Sequence, residues 1–331
     1  MSESPAAGQS SWPSLPISEW EDTRATLHMW TQVVGKVCLA LNPWVNHWWH
    51  IPLYVTPRGL ATSSIPYGSR SFQVSFDFVD HRLVIDAGGG GGRTLPLEPR
   101  SVAEFYREFM AALRGMGIET RIWPVPVEVE ERIPFPEDDL HASYDPEYAR
   151  RFGETLRHAD RLLREFRSGF IGKCSPVHFF WGSFDMAVTR FSGRTAPPHP
   201  GGIPGLADWV TRESYSHEVS SAGWWPGGGP FPEAAFYAYM YPEPQGYPDA
   251  PVRPEAARYL RDAGEFVLPH ETVRAAPDPD AAVHSFLQDT YSAGAELAKW
   301  DRPALERIPP RRAASRNPPT VSGRNPQARV R

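Results

Sequence analysis

Apolar positions along the chain recur with two different periods. Trp20, Leu27, Trp30, Val34, Val37 and Leu41 are spaced as one buried face of a helix. Ser18-Glu19-Trp20-Glu21 stands before this run as a capping box with Ser18 as N-cap, and Pro43 ends the helix at the latest, with Gly35 as an earlier stop. Residues 72–78 alternate strictly, placing Phe72, Val74, Phe76 and Phe78 on one side of a strand. A second strand is expected at 82–85, with a turn at Asp80-His81, and an irregular edge strand at 47–55, where Pro52 interrupts. Ser101 opens a further helix with Val102, Phe105, Phe109 and Leu113 inward, and 119–129 reads as an extended strand kinked by Pro124 and Pro126.

The second half repeats the alternation of periods. Asp145-Pro146 is an N-cap followed by proline at the first helical position, and Tyr148, Phe152, Leu156, Leu163, Phe166 and Phe170 make the buried stripe. Strands are expected at 177–190, 215–221, 234–241 and 265–269, and a last helix at 279–299. Residues 195–205 and 223–232 read as loops.

Both halves send a long helix into a histidine with two aromatics, His47-Trp48-Trp49 and His178-Phe179-Phe180, and on to a Leu-Pro step and a closing helix. The expected fold is therefore α+β: two related α-β-β-β-α halves with mainly antiparallel sheets and helices packed on the sheet faces. Residues 13–130 form the first half, 131–144 an acidic connector and 145–307 the second half. Residues 1–12 and the basic tail 308–331 lack periodicity and read as disordered. The halves either cover each other or join edge to edge, which would remove exposed strand edges.

Composition narrows the function classes. A net charge of −5 from 34 basic and 39 acidic residues argues against a nucleic-acid partner met through phosphates. Two cysteines, Cys38 and Cys174, are too few for a disulfide framework or a zinc cluster. Neither a secretory signal nor a membrane-length apolar run is visible, so a cytoplasmic protein with no membrane partner is expected. Twelve tryptophans raise the prospect of an aromatic pocket for a small molecule.

The strings His178-Phe179-Phe180-Trp181-Gly182-Ser183-Phe184-Asp185 and Ser214-Tyr215-Ser216-His217-Glu218-Val219-Ser220-Ser221 resemble a bacterial family known as a domain of unknown function, DUF5996. Trp12-Pro13, Asn46-His47-Trp48-Trp49 and residues 101–110 carry the same resemblance, which spans nearly all of the chain outside its tails. It implies no activity, so function rests on the residues.

Gly88 to Gly92 is followed by extended Arg93-Thr94-Leu95-Pro96 rather than a helix start, so it reads as a hairpin loop and not a phosphate cradle; Gly227-Gly228-Gly229 reads likewise. His47 and His50, three apart on a strand, would point to opposite faces and could not share a metal. If 177–190 is one strand, Trp181, Ser183, Asp185, Ala187 and Thr189 share a face suited to a pocket wall, and His178, Phe180, Phe184, Met186 and Val188 share the core face. His217 and Glu218, on the next strand, face opposite ways, and His217 is placed to meet Asp185 as a His–carboxylate pair.

Two functions follow. The first is small-molecule binding by an aromatic pocket of Trp181, Ser183, Tyr215, Trp224 and Trp225, with 223–227 as either an aromatic lid or a structural plug. The second is hydrolysis, metal-assisted or by general-base catalysis, using His217, Asp185 and Glu218. A third reading makes the tryptophans mere packing in a scaffold for self-association. No cofactor, metal or oligomeric state is specified.

Overall fold

The computed structural model describes residues 12–88, 91–228 and 231–307. The disorder expected at 1–11 and 308–331 and part of each glycine run lie outside these residues, whereas Trp12, expected in the disordered stretch, is buried against His158, Phe236 and His270. The first half begins with helix α1, Ile17–Leu41. Its N-cap is Pro16, two residues before the expected cap Ser18, and no side chain caps it. Ser18 is already helical, and Glu21 does not reach back but pairs with Arg24 at 2.7 Å. Gly35 does not stop the helix. It sits where a Cβ would overlap the indole of Trp181, so its lack of a side chain serves packing.

The first sheet contains β1 (Tyr54–Thr56), β2 (Gly59–Ala61), β3 (Ile65–Tyr67), β4 (Arg70–Asp77), β5 (Arg82–Asp86) and β6 (Arg93–Pro96). Its order is β1-β2-β4-β5-β6, with β3 on the side of β4. The alternation in β4 does what its period requires: Phe72, Val74 and Phe76 are buried and the residues between them are more open. Helix α2 (Val102–Gly115) follows, capped by the reciprocal Ser101–Glu104 box. Helix α3 (Pro146–Ser168) starts at the Asp145 N-cap with Pro146 in its first turn, as its sequence dictates.

The second sheet holds β7 (His178–Phe180), β8 (Asp185–Thr195), β9 (His217–Trp225), β10 (Ala235–Tyr241), β11 (Arg258–Leu260) and β12 (Glu265–Pro269), ordered β11-β12-β10-β9-β8-β7. Helix α4 (Asp208–Ser214) lies between β8 and β9, and α5 (His270–Ala275), α6 (Pro279–Leu297) and α7 (Arg302–Leu305) close the described chain. Every ladder in both sheets is antiparallel. The fold is α+β, with six strands in each sheet rather than three per half.

The sheets meet at their edges. Leu53, just before β1, and Phe179 of β7 exchange two backbone hydrogen bonds, at 2.9 and 2.8 Å. Neither inner edge is left with its donors and acceptors unpaired at this point. Helices α3 and α6 pack on one face of the second sheet, against Met186, Val188, Trp224, Phe236 and Met240. The opposite face receives the chain around residues 46–51, the 127–128 segment and α4. That covered second face holds the site.

One expected strand is absent and another is shortened. Residues 119–129 join no sheet: Pro124 and Pro126 lack N–H donors, the chain bends at 125, 127 and 128, and Gln32 of α1 supplies the partner of Val127. Of the strand expected at 47–55 only Tyr54 and Val55 enter β1, and Asn46–Trp48 forms a 3-10 turn in which His47 and Trp48 adopt positive φ of 58° and 63°.

Candidate functional site

The strand expected at 177–190 is a hairpin. Residues 181–184 turn the chain, and Phe184 adopts φ 61°. Because Phe180 pairs with Asp185 and His178 with Ala187, the partners share a face. His178 and Phe180 therefore lie on the side of Asp185, not on the core face where a single strand would put them. Asp185, Ala187 and Thr189 do face together, and Met186 and Val188 face the helices, as the period of β8 requires. His178 is buried among Trp49, Tyr54 and Phe180, and neither ring nitrogen has a partner.

Over this face lies a cavity of about 490 Å³. Its floor is built in rows across the sheet: Ala187, Gly223 and Tyr237, then Thr189, Ser221 and Tyr239, then Phe191 and Val219. Trp181, Trp48, Trp49 and Tyr215 wall it, and the half-exposed Trp209 stands at its rim against Trp48. The size and the aromatic lining match those of sites that bury a small organic ligand.

Gly223 makes the floor possible. Tyr237 of β10 reaches across β9 to Asp185 of β8, and any side chain at residue 223 would overlap its ring and the Met186 carbonyl. The Tyr237 hydroxyl donates to the Asp185 carboxylate, as does the hydroxyl of Ser183. Tyr237 also lies 3.1 Å from the carbonyl of Met186. One hydroxyl proton cannot serve both acceptors, and it points to the nearer, the Asp185 carboxylate. Burial raises the Asp185 carboxyl, against the lowering effect of these two hydrogen bonds. Beyond them, the Tyr215 and Tyr239 hydroxyls meet at 2.7 Å.

The second acid of the cavity, Glu128, arrives from outside the sheet. Gln32 grips Val127 like a neighbouring strand, accepting from its N–H at 2.9 Å and donating to its carbonyl at 2.8 Å. Glu128 then takes φ 57°, fixed by its N–H bond to the carbonyl of Pro204 at 2.9 Å. Its carboxylate lands on Gly182, where a Cβ would overlap it. Burial, and then repulsion from Asp185, push this carboxyl up to about 7. Of the six described non-glycine residues with positive φ, His47, Trp48 and Glu128 all line the cavity. Such strain persists only where surrounding contacts enforce it, and it concentrates at functional sites.

One ammonium also lines the cavity. Lys36, 4% exposed, stands 5.8 Å from the Trp181 ring centre with no hydrogen bond, and burial lowers it to about 8. Trp181 is fixed through its ring N–H to the Ile51 carbonyl, at 3.0 Å. At the far wall, His47 lies 3.1 Å from the Ser214 carbonyl and 2.6 Å from the Lys173 ammonium.

The expected site residues separate into two groups. Trp181, Ser183, Asp185 and Tyr215 come together in the cavity. His217 does not meet Asp185. Its partner in the ladder is Thr195, ten residues along β8 from Asp185, or about 30 Å at the rise of a strand. Instead His217 contacts Ser216 at 3.1 Å and the ring of His47. Glu218 faces away and pairs with Arg194 at 2.6 Å. Trp224 is wholly buried on the helix face of β9, beside Phe152 and His270, and is neither lid nor pocket wall. Trp225 stacks on Phe231 outside the cavity lining. The His/Asp hydrolytic constellation thus lacks its geometry. Among the described residues no three His, Cys, Asp or Glu side chains are grouped to hold a metal.

Sequence reasoning missed Glu128, Lys36, Tyr237 and Tyr239. The tyrosines were legible as alternate residues of one strand, and Gly223 as a glycine inside a strand signals close approach. Nothing local marks Glu128, since its place is set by Gln32, 96 residues earlier.

Among the described residues no helix is long and apolar enough to cross a membrane. No curated protein and no solved structure matches the chain. The model of a family of unknown function, DUF5996, matches residues 12–307, which include every element of the fold and all residues of the cavity. The chain belongs to the DUF5996 family.

Proposed function

We propose that the protein binds a small organic molecule in the cavity over the second sheet. The observation that carries this reading is the cavity itself, an aromatic enclosure of about 490 Å³ into which Lys36 and Glu128 project without hydrogen-bond partners. Ionisable groups held in an aromatic enclosure cost stability, and a protein that retains them at the wall of a preformed cavity has a use for them there. The strained backbone at His47, Trp48 and Glu128 supports the same reading, because a merely structural cavity would collapse onto relaxed conformers.

The test is to incubate the purified chain with a small-molecule extract of cells and weigh the complex by native mass spectrometry. The expected result is a stoichiometric adduct that is lost in Thr189→Trp, which fills the cavity floor, and also in Ser221→Phe. Both variants must keep the wild-type melting temperature within a few degrees. An adduct that survives both substitutions, or no adduct in any extract, contradicts the reading.

A further inference from the structure

The polar groups of the cavity are unequal. Among the described residues, two carboxylates, Glu128 and Asp185, line it against one ammonium, Lys36, while the Lys173 ammonium stands behind His47 at the far wall. Glu265, two residues before Val267 on β12 and so on the same sheet face as Tyr237, stands outside the cavity lining and is raised to about 7 by burial and then by Asp185. The remaining polar groups that face the acids are neutral hydroxyls: Ser183 on the β7–β8 turn, Tyr237 and Tyr239 on β10, and Tyr215 after α4. Both lining acids have aromatic neighbours: Glu128 packs on Gly182, next in the chain to Trp181, and Asp185 accepts from the Tyr237 hydroxyl. Carboxylates attract an ammonium group through charge-assisted hydrogen bonds, and the aromatic faces that line the same cavity attract it through the ring quadrupole. An anionic ligand would have to approach two acids to reach Lys36.

On the reading of the cavity as a binding site, we infer that its ligand is an organic cation, an amine on an aromatic or aliphatic body, with the ammonium between Glu128 and Asp185 and the body against Trp181 and Tyr239. The ammonium supplies what the empty arrangement lacks, a positive charge between two acids that repel each other. Binding then ionises Glu128 and releases its proton. The Tyr237 hydroxyl remains on Asp185 as a donor.

The experiment is calorimetric titration of the full chain with tryptamine, tyramine and spermidine, and with tryptophol and indole-3-acetate as neutral and anionic counterparts. At least one amine is expected to bind at least tenfold tighter than either counterpart. Its affinity should rise about tenfold per pH unit up to pH 7 and level off above, because each complex below that pH must shed one proton. Glu128→Gln should weaken the amine at least tenfold at pH 8 and abolish the pH slope, and Glu218→Ala, outside the cavity lining, should leave the affinity within about twofold. Tighter binding of tryptophol or indole-3-acetate overturns the cation and leaves the cavity a binding site. Failure of every amine to bind at 10 mM, or an affinity that Glu128→Gln leaves unchanged, overturns the inference as well. Should Glu128→Gln fold poorly, Asp185→Asn carries the same expectation of a tenfold loss.

Discussion

Glu128 concentrates the chemistry of the site in one residue. Its carboxyl is raised from an ordinary 4.5 to about 7, so the folded chain holds a proton that the unfolded chain would release. Stability from this group is therefore lost as pH rises from about 4.5 through 7, and the loss is complete above. Glu128→Gln removes the titration, and thermal denaturation at pH 8 is expected to show a gain of about 2 kcal/mol, with almost none at pH 4. A gain equal at both pH values would place the effect elsewhere. Gly35 makes a second case at this scale. Alanine is the better helix former by about 1 kcal/mol, yet its methyl would enter the Trp181 indole. Gly35→Ala is expected to lower stability by about 1–3 kcal/mol and to shift the tryptophan emission, measured by denaturant titration and fluorescence. Unchanged stability would mean that Trp181 has room to move.

Elements position these residues through few contacts. Gln32 in the middle of α1 stands in for a missing strand and holds 127–128 in place by two hydrogen bonds. Gln32→Leu leaves the Val127 N–H and carbonyl unpaired, which is expected to cost about 2–4 kcal/mol and to raise amide exchange at residues 127 and 128 ahead of the sheet. The Arg194–Glu218 pair is a contrasting case, a rim contact near the end of α6. Glu218→Ala is expected to cost less than about 1 kcal/mol and to leave ligand binding intact, checked by melting and by titration with whichever amine binds. The elements legible in sequence were those with a local cause: the α2 and α3 caps, the alternation of β4, and the alternation within β8. The hairpin at 181–184 was not legible, because its turn is made by Trp-Gly-Ser-Phe rather than by a familiar turn pair, and Phe184 takes a positive φ that only the surrounding core enforces. Reading one strand there flipped His178 and Phe180 to the wrong face. The register between β8 and β9, set by pairs such as Met186 with Trp224 that lie far apart in the chain, keeps His217 and Asp185 apart, and no local signal specifies it.

At the scale of the whole molecule, joined sheet edges leave one broad face for helices and the other for the cavity. Two histidines are sealed in this body as neutral rings. Burial lowers both His28 and His178 to about 3. The unfolded chain takes up their protons below about pH 6.5, so their contribution is present above that value and is lost progressively as pH falls toward 3. Together they are expected to reduce stability by up to about 2.7 kcal/mol per pH unit below 6. Glu128 and Glu265 oppose this between pH 4.5 and 7, which predicts a broad maximum in melting temperature near pH 6. In a double variant with Glu128→Gln and Glu265→Gln the maximum should move toward neutral pH, and a flat profile would contradict the buried neutral histidines.

The central claim is that the covered face of the second sheet is a ligand site. The most direct measurement is a crystal structure of the chain grown with the amine that binds in titration. The account predicts density for one molecule between Trp181 and Tyr239, its nitrogen within hydrogen-bond distance of Glu128 and Asp185. An empty cavity in crystals saturated with that amine, or the molecule seated elsewhere on the surface, would contradict it.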